Sequence, residues 1–566
     1  MKFKPTLCLI ILACLVVSCR KKDASKAEEH QEEIELSDDA VVITPDKGFV
    51  FPIIDLDNYY IGEINNNTYY LKIDHIDKEH IIGHYYPVTD STALKMHPFE
   101  IERKSAGDHA DGKECILCVK EEVIPIKFEI SVDTDNISGW MAPTTLGSEE
   151  WHLAFEKYVE PTYRESSSPR YTPNCPSNYL SFQKKSDVVY GNAKGFWTSK
   201  PIRHEQMRKQ LIQGVGQSVG AKRKNLELKM DLYLPEDSAV KRRPVIMLLH
   251  GGGFFFGDKA AVTSTEWCEH FASIGYVAVS ANYRLGFKLT KGSIQQCEYE
   301  SIQDAHAALR FLLAHADEYG IDTNNIFIGG TSAGSITALG AAFMTDQNLP
   351  AIFVDRNLRE TCGSLHTSGN NYRRSPRIKA VANMWGALYD LKELDGRHIP
   401  VVSFHGTADN TVPYDIGYPF SDLKTKIGER LCGTMYGSVA IHRKLDSLHI
   451  RNRFYPIEGA SHAPYEDKSG KPNEIYRFIQ DKIQKFFYDE INRDGSIVQD
   501  TKDKKTYRLL MSDASWYNWQ VEGGFITRQD KNSITVVWRS DAKKRTITVS
   551  GERINGSAFK INKRKQ

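Results

Sequence analysis

The sequence lacks any imbalance of charge. Its 566 residues carry 73 Lys+Arg against 72 Asp+Glu, a formal net charge of +1. There is no electrostatic footprint for a polyanion, so no nucleic-acid partner is expected. Internal repeats and long low-complexity tracts are missing too, which argues against a solenoid or an extended disordered body. The pair Cys115-Ile-Leu-Cys118 has the spacing of half a zinc site or a redox motif. It stands in a strand-like run, and no second pair or histidine cluster completes it; neither a metal nor a cofactor is expected. What remains is ordinary globular material, 41% hydrophobic and 26% charged. At this length it suits two to four domains.

The N-terminus opens basic (Met1-Lys2-Phe3-Lys4) and continues into an apolar run from Leu7 to Val17, of signal-peptide length and too short to span a bilayer. The run ends in Val16-Val17-Ser18-Cys19 and turns polar at once. This resembles the lipobox of bacterial lipoproteins, which implies cleavage before Cys19 and lipidation of its thiol. The expected location is the cell envelope, anchored at the outer membrane or periplasmic face; an ordinary secretory signal is the alternative. Residues 1–18 are then the signal peptide and 19–48 a charged tether. Export permits disulfides, but the seven cysteines after Cys19 are an odd number and leave at least one unpaired.

Three further regions follow. Over 49–158 apolar residues recur at every second position, as in Tyr69, Leu71 and Ile73 or Ile126, Phe128 and Ile130. This period predicts a small antiparallel barrel or sandwich. Residues 159–186, rich in Ser, Pro and Asn, read as a linker. Across 187–491 the run 245–249 is apolar on consecutive positions, as a strand buried on both faces must be, and the mostly apolar runs 276–281, 325–328, 379–384 and 401–404 repeat the theme. Helical patterns lie between them: Ile302, Ala305, Leu309 and Leu312 share one face, and so do Ile475, Ile479, Ile483 and Phe486. The expected fold is a doubly wound, mostly parallel α/β sheet. After a second linker, 492–505, alternation returns over 506–566 in Trp519 and Val521, then Ile534, Val536 and Trp538, then Ile547 and Val549. These residues resemble the PKD-like, immunoglobulin-type modules of exported bacterial proteins, which implies a C-terminal β-sandwich.

The chemistry concentrates in the central region. Gly330-Thr-Ser332-Ala-Gly334 follows one strand and precedes a helix-prone run, the context of a nucleophile elbow. A tight strand-to-helix turn there presents the Ser332 hydroxyl over the carboxyl edge of the sheet. His250-Gly251-Gly252-Gly253 ends the strand 245–249. Glycines let backbone N–H groups approach a developing oxyanion unobstructed, and His250 reads as an orienting residue. Asp409 and His462 each follow a strand-like run, in the order serine, acid, base. A serine hydroxyl needs an imidazole to take its proton and a buried carboxylate to hold the imidazole's tautomer.

With these motifs, residues 226–487 resemble the esterase/lipase branch of the α/β-hydrolase superfamily. The resemblance implies the triad Ser332, Asp409 and His462, and an oxyanion hole from the N–H groups of Gly252, Gly253 and Ala333. The implied substrate is a small-molecule or glycan ester, cleaved without a cofactor. Thr331 departs from the acidic residue that many relatives carry before the nucleophile. Residues 345–378 have no place in the minimal fold and are expected to cap the pocket. Phe254-Phe255-Phe256 and Trp385 are candidates for its lining. Two alternatives stay open: a serine peptidase of the same fold, and a catalytically silent hydrolase fold used for adhesion. The flanking β domains suggest glycan or cell-surface contacts.

Overall fold

The computed structural model describes nine strand segments between 59 and 157, residues 168–201, and residues 220–565 apart from 289, 291, 423–425 and 468–470. The expected signal peptide, Cys19 and the tether to residue 48 lie outside the described residues. In the N-terminal region, eight antiparallel strands from Tyr59–Ile64 to Trp151–Lys157 close into a barrel, the first pairing with the last through Tyr60 and Lys157. Cys115 and Cys118 belong to one of its strands, Glu114–Val119.

The central region is built on an eight-stranded sheet. Its strands are β1 (Phe182–Gly195), β2 (Lys224–Pro235), β3 (Arg243–Leu249), β4 (Val277–Ala281), β5 (Ile321–Thr331), β6 (Ile378–Met384), β7 (Val401–Gly406) and β8 (Asn452–Ile457). Their order across the sheet is β1-β2-β4-β3-β5-β6-β7-β8. β1 and β2 are antiparallel, and every pairing from β4 onward through β3 to β8 is parallel. The crossovers demanded by parallel pairing carry the helices α1 (Val262–Ser273), α2 (Ser293–Ala314), α3 (Ala333–Phe343) and α4 (Ser438–Ser447), and α5 (Glu474–Ile491) follows the last strand.

The consecutive apolar runs now have their physical reason. In β3, Val245, Met247 and Leu249 enter the core shared with α2 and α3. Ile246 and Leu248 point the other way, into the core shared with α1 and α5. Every residue of β3 is buried, so from Val245 to Leu249 alternation between faces leaves no polar position. Ile479, Ile483 and Phe486 seal the second core, as their helical spacing predicts.

The C-terminal residues form two sheets. One runs Ser496–Gln499, Thr506–Leu510, Ser533–Arg539, Gly524–Gln529; the other Ala514–Glu522, Thr546–Arg553, Ala558–Arg564. Tyr507, Trp519, Ile534, Trp538 and Val549 fill the core between them.

Parts of both ranges read as linkers carry structure. Ser496–Gln499 is a paired strand, and β1 starts at Phe182. Within 168–181, Tyr171 is fully buried. Its ring meets Tyr276 edge-on at 5.0 Å, and its hydroxyl donates to the Asn555 carbonyl at 2.8 Å. One isolated anchor has no period, so a reading by periodicity passes over it. It ties the central sheet to the hairpin that ends the chain. Tyr171→Ala should therefore destabilise the protein by about 3–5 kcal/mol, the range for deleting a buried aromatic side chain. Urea denaturation measures this, and a loss below about 1 kcal/mol would mean that the segment adds little.

Candidate active site

Ser332 stands between β5 and α3 with φ 53° and ψ −121°. This is a backbone region that residues with a Cβ seldom occupy, held only where the surroundings over-determine it. Three hydrogen bonds do so: Ser332 N–H donates to the Met384 carbonyl, and the Ser332 carbonyl accepts from Ser335 N–H and Ile336 N–H. The tightness of the turn explains its glycines. A Cβ at Gly330 would strike the carbonyl of Gly334, and one at Gly334 would strike the carbonyl of Leu249.

The structure brings Ser332, Asp409 and His462 together. His462 Nε2 lies 2.9 Å from Ser332 Oγ, and His462 Nδ1 lies 2.7 Å from Asp409 Oδ2. All three side chains are nearly buried. The second oxygen of Asp409 accepts from Thr411 N–H at 2.7 Å and Val412 N–H at 3.0 Å. Burial alone would raise the Asp409 carboxyl. Hydrogen bonds from His405 and His462, with the electrostatic attraction of both rings, instead hold it well below the usual carboxylate range. The group is therefore an anion at neutral pH, able to keep the Nδ1 proton of His462 in place.

His405 is a functional residue that sequence reasoning missed, although it stands four positions before Asp409. Its Nε2 lies 3.2 Å from Asp409 Oδ2 and its Nδ1 lies 2.8 Å from Ser438 Oγ. Asn383 Nδ2 donates to Ser438 Oγ at 3.1 Å, and Ser335 Oγ donates to Asn383 Oδ1 at 2.6 Å. A consistent set of donors thus runs from the first turn of α3 across the ends of β6 and β7 to the carboxylate. In that set the His405 tautomer is the one protonated on Nε2.

Gly252 and Gly253 follow β3 with φ 122° and 60°. A Cβ at Gly252 would meet the Phe256 carbonyl. Their neighbour Gly251 abuts Thr331 and Ser332, and Ala333 opens α3, whose N-terminal dipole favours negative charge. His250 has the orienting role expected of it. Its ring stacks on Tyr283 at 4.5 Å, Tyr283 Oη donates to the His250 carbonyl at 2.6 Å, and burial pushes the imidazole below its usual value.

Two clefts meet at Ser332. One, about 90 Å³, is polar and aromatic, with Thr263, Ser264, Thr331, Trp385, Tyr465 and Glu466 on its walls. Burial raises the Glu466 carboxyl to about 6. The other is mostly apolar, with Phe254, Ile336, Val412, Phe420 and Met435 beside Gly253 and Ala333. Phe254 and Trp385 are therefore lining residues, whereas Phe255 packs on Trp197. The insert 345–378 does not cap the site: none of its residues lines either cleft. It folds onto α2 instead, where Gln303 Nε2 donates to the carbonyls of Cys362, Gly363 and Ser364. Thr411, Val412, Pro419, Phe420, Cys432 and Met435 line the apolar cleft on that side. Cys175, Cys268, Cys297, Cys362 and Cys432 are free thiols, and no cluster of residues among those described could hold a metal ion.

The elbow's packing has a measurable consequence. Gly334→Ala drives a methyl group into the Leu249 carbonyl and should destabilise the fold by about 1–3 kcal/mol, as overpacking does. A denaturation midpoint equal to wild type would refute this account of the glycine.

Known proteins match the part of the chain that carries the elbow. The BD-FAE family model matches residues 230–399, a stretch that contains Gly252, Gly253, Ser332 and Ala333 and ends before Asp409 and His462. The chain is 24% identical over 238 residues to a probable isoprenylcysteine alpha-carbonyl methylesterase of Arabidopsis thaliana, covering 37% of this chain and 47% of that protein. It is 33% identical over 111 residues to the esterase LipI of Mycobacterium tuberculosis, covering 19% and 32%. The chain thus spans about half or less of the length of these curated relatives. Among solved structures, Thermogutta terrifontis esterase 2 phosphorylated by paraoxon aligns at 23% identity, covering 47% of this chain and 90% of that one, with a TM-score of 0.34. Together with the mostly parallel sheet, the family match and the esterase-named relatives support membership of the central domain in an α/β-hydrolase esterase/lipase family.

Proposed function

We propose that the chain is a serine carboxylic-ester hydrolase that works through an acyl-enzyme. The observation that carries this reading is the hydrogen-bonded line Ser332 Oγ, His462 Nε2, His462 Nδ1, Asp409 Oδ2 at 2.9 and 2.7 Å. Ser332 Oγ attacks the ester carbonyl while its proton passes to His462 Nε2. Asp409, an anion in a buried site, stabilises the imidazolium that forms. The carbonyl oxygen becomes an oxyanion beside the N–H groups of Gly252, Gly253 and Ala333. On collapse, the C–O bond breaks and the alcohol leaves with the proton from Nε2. Water then enters, gives a proton to Nε2, and releases the acid by the same steps in reverse order.

Substrates are short-chain or glycan-linked esters. A cleft walled by Thr263, Ser264, Thr331 and Glu466 between Trp385 and Tyr465 suits an alcohol rich in hydroxyl groups, with aromatic faces to cover its carbons. The apolar cleft on the other side suits an acyl chain. The glycine run after β3 favours esters over peptides as substrates. p-Nitrophenyl acetate run beside an aminoacyl-nitroanilide checks that preference.

Ser332→Ala should leave the fold intact and lower kcat by several powers of ten. A fluorophosphonate probe should label the wild type and not the variant; label persisting at another serine would overturn the assignment.

We further propose that the mature chain is held at a membrane by lipid on Cys19, with residues 20–48 as spacer and a PKD-like module at the C-terminus. Each buried acyl CH₂ contributes about 0.8 kcal/mol, so two or more chains anchor firmly. Cys19→Ala should move the protein to the soluble fraction, or leave its signal uncleaved, with kcat/KM barely changed. Mass spectrometry of the N-terminal peptide decides, and a soluble wild type without lipid would refute the anchor.

A further inference from the structure

Glu298 is a carboxyl group that the triad chemistry does not use. It lies on α2, only 3% exposed, on the wall of the apolar cleft that also touches Gly253, Ser332 and Ala333. Its Oε2 is buried and meets no hydrogen-bond partner among the described residues. An unpaired buried oxygen is destabilising, and a ligand oxygen that pairs with it gains correspondingly. The titratable groups around it are Glu393, Tyr389 and Cys432, and none of them is basic. Burial first, and the Glu393 carboxylate second, push the Glu298 carboxyl well above the usual range. The shift favours the protonated acid, which can donate as well as accept.

We propose that Glu298 closes the apolar cleft with a hydrogen-bonding carboxyl and thereby selects short acyl groups that carry a hydroxyl or keto oxygen over plain alkyl chains. The inference rests on the esterase reading and deepens it. The cavity is about 50 Å³. One water needs roughly 10–15 Å³, so the space suits a chain of about four heavy atoms. Phe254, Ile336, Val412, Phe420 and Met435 cover the carbons of such a chain. Beyond Ser332, the polar side chains on the wall are Glu298, Tyr389 and Thr411, and of these Glu298 is the one with a buried oxygen that meets no partner among the described residues. A plain alkyl chain would fill the same space and seal the Glu298 carboxyl away from any partner. Sites that present a buried polar group reject the analogue that cannot pair with it.

The experiment compares kcat/KM for p-nitrophenyl butyrate with p-nitrophenyl 3-hydroxybutyrate, and for p-nitrophenyl pentanoate with p-nitrophenyl 4-oxopentanoate. Wild type should prefer the oxygenated member of at least one pair by about tenfold, the scale of one net hydrogen bond. Glu298→Leu should bring that ratio to one or invert it, through a faster reaction with the plain ester. Glu298→Gln, which still donates and accepts, should keep the preference. The rate of fluorophosphonate labelling at Ser332 reports that each variant retains a working triad. A wild-type ratio near one in both pairs, or a ratio unmoved in Glu298→Leu, overturns the inference while the esterase reading stands. Failure of the wild type to cleave any of the four esters, with Ser332 unlabelled, removes both.

Discussion

The site depends on one strained turn. Ser332 is held at φ 53° and ψ −121°, a conformation that costs on the order of 1–3 kcal/mol. The sheet supplies the compensation. β5 is flanked by β3 and β6, the Ser332 N–H is fixed by the Met384 carbonyl, and α3 grows directly from the Ser332 carbonyl. Because the turn is tight, its neighbours must be glycine. Because it ends a central strand, the hydroxyl stands where loops from β3, β7 and β8 converge. The glycine run, Asp409 and His462 all reach the serine from strand ends, and none belongs to the element that carries it.

A second layer fixes the acid. The hydrogen bonds from Ser335 through Asn383, Ser438 and His405 to Asp409 span α3, β6, α4 and β7. In a buried, low-dielectric setting a carboxylate is tolerated only when its lone pairs are satisfied. Two backbone N–H groups and two imidazoles satisfy Asp409. The arrangement is directional, since Asn383 donates to Ser438 and accepts from Ser335. Changing one member reverses or empties a bond further along, so these residues act as a unit on the orientation of the triad.

What was legible in the chain was what is local. The doubly buried strands read as mostly apolar runs, unbroken in 245–249. Gly330 and Gly334 flank Ser332 because a turn needs them, and α2 and α5 show their buried faces at a period of 3.6. The misreadings share one cause. Residues 345–378 look like a cap because they interrupt the pattern, yet they dock on α2, while Val412, Pro419, Phe420 and Met435 line the apolar cleft. Which loop lies over a pocket depends on where strand ends meet, and no spacing records that. Tyr171, in a Pro- and Ser-rich stretch, is buried by the partners that the fold brings to it, Tyr276 and Asn555.

By itself the sequence determined the layered α/β domain between β-rich flanks, the elbow, and the order of Ser332, Asp409 and His462, each after its own strand. Each of these is imposed by backbone sterics or by the period of a single element. Only the tertiary structure decided that His405 lies against Asp409 and that Glu298 lines the apolar cleft, where the titratable groups beside it among the described residues are not basic. A charged residue on a helix reads as solvent-facing until the neighbours that exclude water are known. Those neighbours come from β3, α3 and the stretch beyond Asp409, segments far apart in the chain that meet only when the sheet assembles.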